Sequence, residues 1–213
     1  MKKYKKQLLK NAAQDIIVEP IENALGKYVP LRKIFYHIKE RNFCQFLESL
    51  YDSMKRNKNL SREEVDRLVE EVGNSTSKQY MSTILDNLCF SKGLFAVKIL
   101  ALITSKYMLE EDLDCCDLYL ISALNDLYDT DLDTFFHTFM NNSTVIDGVS
   151  VLYEYTEENR IVLDKLQNLN IFGRDRTPGR LTDGKQKPLL YEITEVSQRL
   201  HCYCKEIIKP CLD

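Results

Sequence analysis

"LDKLQNLNIFGRDRTPGRLTDGKQKPLLYEITEVSQRL", residues 163–200, changes its pattern three times. Val162, Leu163, Leu166 and Leu169 recur at helical spacing, and Thr156 stands ahead of them as an N-cap. Ile171 and Phe172 then begin a strand, and Gly173 opens a connection rich in basic residues, Pro and Gly. Leu189, Tyr191 and Ile193 alternate as the partner strand. Thr194 caps a last helix that carries Val196, Leu200, Tyr203, Cys204 and Ile207. Helix, two-stranded hairpin and helix predict a winged-helix-like unit over residues 156–213. A lone hairpin is marginal in water, so the unit is expected to pack on helices of the preceding chain.

Those helices are legible from their apolar spacing. A helix over residues 2–25 is expected, kinked at Pro20 and stopped at Gly26, with Lys2, Lys3, Lys5, Lys6 and Lys10 in its first turns. The lysines read as a solvated chain end, the alternative being contact with a membrane surface or nucleic acid. After Pro30 a longer helix places Leu31, Ile34, Phe35, Ile38, Phe43, Phe46, Leu47, Leu50 and Met54 on one face. Ser61 and Glu64 form a capping-box pair for a helix ending at Gly73. Further helices are predicted over 76–90, 92–108, 111–128 and 131–141. The third-last of these, within "GLFAVKILALITSKYML", is apolar nearly all round and belongs at the centre. Asn, Ser, Asp and Gly cluster in "NNSTVIDGVS", and residues 142–155 are expected to be a linker. The fold expected is therefore mainly α: a multi-helix bundle over 1–141 with the winged-helix-like unit packed on it.

Composition bounds the function classes. The chain has 213 residues, 44% of them hydrophobic, and a net charge of −3, so any anion binding must be local. Its basic start lacks the apolar core of a signal peptide, since Asn11, Gln14 and Asp15 interrupt it. Lys98 and Lys106 make the most apolar stretch a buried core helix and not a membrane span. The odd cysteine count, 7, fits reduced thiols and a cytoplasmic location.

Only one stretch carries a local excess of cations. Arg174, Arg176, Arg180, Lys185 and Lys187 face Asp175 and Asp183 in the hairpin connection, a composition suited to phosphate contacts in DNA or RNA. The helix before it carries Glu157, Glu158 and Asp164 against Arg160 and Lys165, which suits a major groove poorly. Any contact is then expected to be to phosphates, with little sequence preference. No metal or cofactor is expected. His201, Cys204 and Cys211 lack a second ligand pair upstream, so they read as packing residues. Asp129, Asp131 and Asp133 alternate as in a calcium loop, but Thr134 and Met140 stand where Gly and Glu are needed, so Asp131 reads as the cap of a helix. His37, His137 and His201 are far apart, and no phosphate loop or nucleophile motif occurs, so a non-enzymatic protein is expected.

Three phrases, "RNFCQFLESLYDSM", "KILALITSKYMLEEDLDCCDLYLISALNDLYDTDLDTFF" and "LDKLQNLNIF…LLYEITEVSQRL", resemble poorly characterised bacterial helical proteins of the abortive-infection alpha type. The resemblance spans roughly residues 30–200 and implies a phage-defence or prophage setting, with a winged-helix-like end. The closing segment also resembles the wing of bacterial winged-helix regulators, but Val196 and Ser197 stand where those carry a Gly, and the helix before the wing leans acidic. Two readings follow: a binding protein that contacts nucleic-acid phosphates through its basic connection, or a protein-interaction or regulatory adaptor whose wing only closes the fold.

Overall fold

A computed structural model of the protein describes residues 29–58, 60–61, 63–64, 78–110, 113–146, 148–154, 156–175 and 189–208. The expected helix over 2–25, most of the helix from Ser61 to Gly73, and Cys211 lie outside these residues.

Seven α-helices are described, in the order α1 (Val29–Lys58), α2 (Lys78–Phe90), α3 (Leu94–Glu110), α4 (Cys115–Ala123), α5 (Asp129–Asn142), α6 (Glu157–Asn168) and α7 (Glu195–Ile207). Four strands are described with them: β1 (Ser143–Ile146), β2 (Val149–Glu154), β3 (Phe172–Asp175) and β4 (Leu189–Ile193). The protein is thus mainly helical, with a small antiparallel sheet in the order β1-β2-β4-β3.

The centre is α3. Ala96, Val97, Ile99, Leu100, Ala101 and Ile103 are fully buried, because α1, α2, α5 and α7 all pack on this helix. Thr104 answers its own burial by donating its hydroxyl to the Leu100 carbonyl at 2.7 Å. On α1 the buried hydrophobic residues are Phe46, Leu50 and Met54, whereas Ile38, expected on that face, is 42% exposed. The capping box at the next helix start is present in both directions: the Ser61 amide donates to Glu64 Oε2 at 2.7 Å, and the Glu64 amide to Ser61 Oγ at 3.3 Å.

Three expectations need correction. The helix expected over 111–128 is shorter. Asp114 caps α4 by accepting from the Asp117 amide at 2.9 Å, and the helix tightens into a 3-10 turn at Leu124–Asp126. Leu127 is extended there, with φ −97° and ψ 133°, and this frees the chain to restart at Asp129. Asp131 is accordingly not the cap of α5 but a residue of its first turn, whose carboxylate accepts from the Tyr128 amide at 2.9 Å. The third correction is the largest. Residues 142–155, expected as a linker, hold a β-hairpin, in which Ser143 pairs with Leu152 and Ile146 with Val149. Gly148, at φ +78°, makes the reversal between its strands. Strand β2 then pairs with β4, Val151 opposite Glu192 and Leu152 opposite Tyr191. The hairpin expected to have two strands is therefore half of a four-stranded sheet.

That sheet and its two flanking helices are tied by local polar contacts. Glu154, nearly fully buried, accepts from the Thr156 amide at 2.8 Å and hydroxyl at 2.9 Å on one oxygen, and from Asn159 Nδ2 at 2.9 Å on the other. The start of α6 is thus held by the end of β2, while the Thr156 side chain makes no cap bond of its own. Asn170, in the left-handed region at φ 56°, ends α6 so that Ile171 can donate its amide to the Leu166 carbonyl at 2.9 Å. Thr194 caps α7, accepting from the Ser197 amide at 3.1 Å, and its own hydroxyl donates to the Ile171 carbonyl at 2.5 Å. Leu190 and Tyr191 are neighbours in β4, yet both are buried, so this strand is covered on both faces.

Candidate functional site

Three places among the described residues concentrate chemistry or unsatisfied surface, an open groove beside α6, a buried charge network under α7 and the β1 edge of the sheet, and the sequence adds a fourth, the β3–β4 connection.

The basic connection leaves the sheet at Asp175, the end of β3, and returns at Leu189. Arg174 lies on β3 itself; Arg176, Arg180, Lys185 and Lys187 lie outside the described residues. The described residues thus include the base of this connection, with Arg174 on it. The described end of β3 is irregular: Phe172 faces Ile193 and Asp175 faces Tyr191, with a register shift between them.

Helix α6, which precedes the connection, offers no unpaired cation. Arg160 Nη1 meets Glu157 at 3.4 Å and Arg160 Nε meets Asp164 at 3.3 Å, and these carboxylates hold the guanidinium above its ordinary range. Lys165 Nζ lies 2.5 Å from Asp131 on α5. Beside this helix runs an open groove of about 490 Å³, lined by Lys92, Asp126, Ile161, Asp164, Lys165, Asn168 and Leu169. Its charges are answered from within: Lys92 by Asp126 at 3.0 Å, Lys165 by Asp131, and Asp164 by the Tyr191 hydroxyl, which donates at 2.7 Å. Lys92 and Lys165 also sit 5.4 and 4.9 Å from the centre of the exposed Tyr128 ring. These contacts fasten α6 to the loop ahead of α5 and leave the groove without a charge to offer a ligand.

Under α7 lies a cluster that no local pattern predicted. Asp117 has a fully buried side chain, yet it accepts from Lys106 Nζ at 2.6 Å and from the Tyr203 hydroxyl at 2.7 Å. Arg199 spans both acids, 2.7 Å from Asp114 Oδ2 and 3.4 Å from each Asp117 oxygen. Burial, then the bond to Asp117, pushes the Tyr203 hydroxyl well above its usual range. Burial works against the Lys106 charge, but the hydrogen bond and field of Asp117 outweigh it and raise its pKa. Two acids, two bases and a phenol thus balance one another across α3, α4 and α7. With Asp117 fully buried at its centre, the arrangement suits clamping the last helix.

The histidines do not converge. His37 is exposed, and His137 Nε2 meets Asp133, 3.5 Å away on the same exposed helix face. His201 lies flat between Phe139, with ring centres 4.5 Å apart, and Phe136, 5.6 Å away, and its Nε2 has no hydrogen-bond partner. Cys204 is buried with its thiol pushed up to about 12 by desolvation, and desolvation likewise takes Cys116 to about 11. Among the described residues no three His, Cys, Asp or Glu side chains converge as metal ligands. No helix among them is long and apolar enough to cross a membrane.

The β1 edge was missed by sequence reading altogether. Strand β1 ends the sheet, and all four of its residues are exposed. Val145 is 65% and Ile146 41% exposed, and Met140, in the α5 turn that leads into β1, is 54% exposed. The signal that could have found it is the β-branched run Thr144, Val145, Ile146 inside an otherwise turn-forming segment. Known proteins add nothing to this picture. No protein-family model, curated protein or solved structure matches the chain.

Proposed function

We propose that this protein acts by binding another polypeptide, with the β1–β2 hairpin as its contact edge. One observation carries the reading: an edge strand with Val145 and Ile146 exposed and no charged residue in it. Such an edge presents unpaired backbone donors and acceptors, a ready template for strand addition, and natural sheets ordinarily guard it with Lys, Pro or a bulge. The buried Asp117 network and the paired charges of α6 supply rigidity around the sheet. The unit α6–β3–β4–α7 then acts as a winged-helix-like closure of the fold. Only one helix separates β2 from β3, where a helix-turn-helix requires two, and this supports a structural and not a groove-reading role.

The experiment is co-purification of the chain from its native cells, wild type against Val145→Lys, with nuclease added. A polypeptide retained by the wild type and lost from the variant is expected. Retention of the same partners by both would sink the reading. The resemblance to abortive-infection alpha proteins makes phage challenge the natural setting for the comparison.

A second reading rests on the connection. Five cations, Arg174, Arg176, Arg180, Lys185 and Lys187, stand against Asp175 and Asp183 between two strands of the sheet, which favours sequence-independent phosphate contact with DNA or RNA. Binding to duplex that weakens with salt and disappears when all five are changed to Glu is the expected result. Binding unchanged by those substitutions removes this reading.

A further inference from the structure

We propose that the occupant of the β1 edge is a second copy of this chain, whose β1 adds antiparallel to form one continuous eight-stranded sheet. The proposal rests on the reading of β1 as a contact edge and names what covers it.

The two edges of the sheet differ in how they are protected. At the β3 edge the register shifts between Phe172 and Asp175, an irregularity that interrupts a regular ladder. At the β1 edge pairing with β2 is regular over Ser143, Thr144, Val145 and Ile146, and none of these is charged or proline. Successive side chains of a strand point to opposite faces, so Val145 and Ile146 expose an apolar group on each side of the sheet. Among the described residues nothing covers either of them. A neighbouring strand covers both at once.

Self-complementarity selects the occupant. Two identical antiparallel strands in one sheet are related by an axis perpendicular to it, which keeps each side chain on its own face. Some residue must therefore face itself across the axis. With Val145 there, Thr144 faces Ile146 of the second copy, and Ile146 faces Thr144. The pairs among Thr144, Val145 and Ile146 are then all β-branched, the pairing that packs best on a pleated surface, and the register sets Ser143 against position 147. No charge is brought against a like charge, and a net charge of −3 per chain adds little repulsion at a distance. An edge this short belongs with weak, concentration-dependent interfaces, with Met140 adding exposed apolar area beside it.

Sedimentation of the purified full chain across the micromolar range tests this. The wild type is expected to shift from monomer to dimer. Val145→Lys is expected to stay monomeric while keeping the wild-type thermal transition, because the side chain it replaces is 65% exposed. Mild oxidation supplies the register: Val145→Cys cross-links into a dimer above the background of exposed Cys44, Cys115 and Cys202, and Ile146→Cys does not, its two copies being offset along the strands. A wild type monomeric throughout overturns self-pairing, as does a dimer indifferent to Val145→Lys, and cross-linking at 146 in place of 145 overturns the register. Should the chain be monomeric yet hold a foreign polypeptide through Val145 in the co-purification, self-pairing fails while the protein-interaction reading stands. Association of neither kind removes both.

Discussion

Replacing Asp117 by Asn tests whether the buried network fastens α7 to the helical body. The substitution keeps the shape of the side chain and removes one of two negative charges from a site that holds Lys106 and Arg199. Asp117 is fully buried and receives short bonds from Lys106, at 2.6 Å, and Tyr203, at 2.7 Å. Breaking one partner of a buried pair costs about 3–5 kcal/mol, because the remaining charge stays desolvated. Asp114 tempers this, since it still meets Arg199 at 2.7 Å and Lys106 at 3.4 Å and is itself partly open to water. A loss of about 3 kcal/mol is therefore expected. Against a total stability of about 5–15 kcal/mol this is a large fraction. In urea, with a slope of about 2 kcal/mol/M, the midpoint should fall by about 1.5 M. Hydrogen exchange should show the loss concentrated at Glu195–Ile207, where Arg199 and Tyr203 lose their anchor. Tyr203→Phe, which removes one neutral donor, should cost less, about 1–2 kcal/mol. A fall below about 1 kcal/mol for Asp117→Asn, or protection of α7 unchanged, refutes the clamp.

Gly93 faces Asp129, whose carboxylate caps α3 by accepting from the Leu94 amide at 3.1 Å and the Phe95 amide at 2.7 Å. A Cβ at 93 would lie 2.2 Å from Asp129 Oδ1, so Gly93→Ala should displace the cap and cost about 2 kcal/mol. In a melt this should appear as a Tm lower by about 4–8 °C. Combined with Asp129→Ala the loss should be less than additive, and full additivity would break the link between the two residues. His201 sets a pH dependence. Burial first, and Lys205 second, lower its pKa below 6.5. Its stabilising share is complete above the unfolded value and declines as pH falls through it, since the unfolded chain takes up a proton that the native site refuses. Below the native pKa the decline stops. His201→Phe should flatten the fall of the urea midpoint that begins as pH drops through about 6.5, and an unchanged slope would reject the assignment. Leu100→Ala, at a fully buried position on the central helix, should cost about 3–5 kcal/mol by denaturation, and a cost near that of a surface change would contradict the placing of α3.

Sequence alone determined most of the helical layout, because caps and apolar spacing act over a few residues. The Ser61–Glu64 box, the Thr194 cap and the all-round apolar helix that became α3 were legible for that reason. The hairpin at 143–154 was not. Its turn-forming residues resemble a linker, and what makes strands of them is pairing with β4, where Leu152 faces Tyr191. Nor could sequence find Asp117. Its partners Arg199 and Tyr203 are 82 and 86 residues away, so a run of acids that locally looks like an exposed helix start becomes a buried anchor only once α7 lies over it. The basic connection and the β1 edge divide in the same way. Composition reveals where charge gathers along a chain, but whether a strand is left at the edge of a sheet depends on which distant segment pairs with its neighbour and which side is left unpaired.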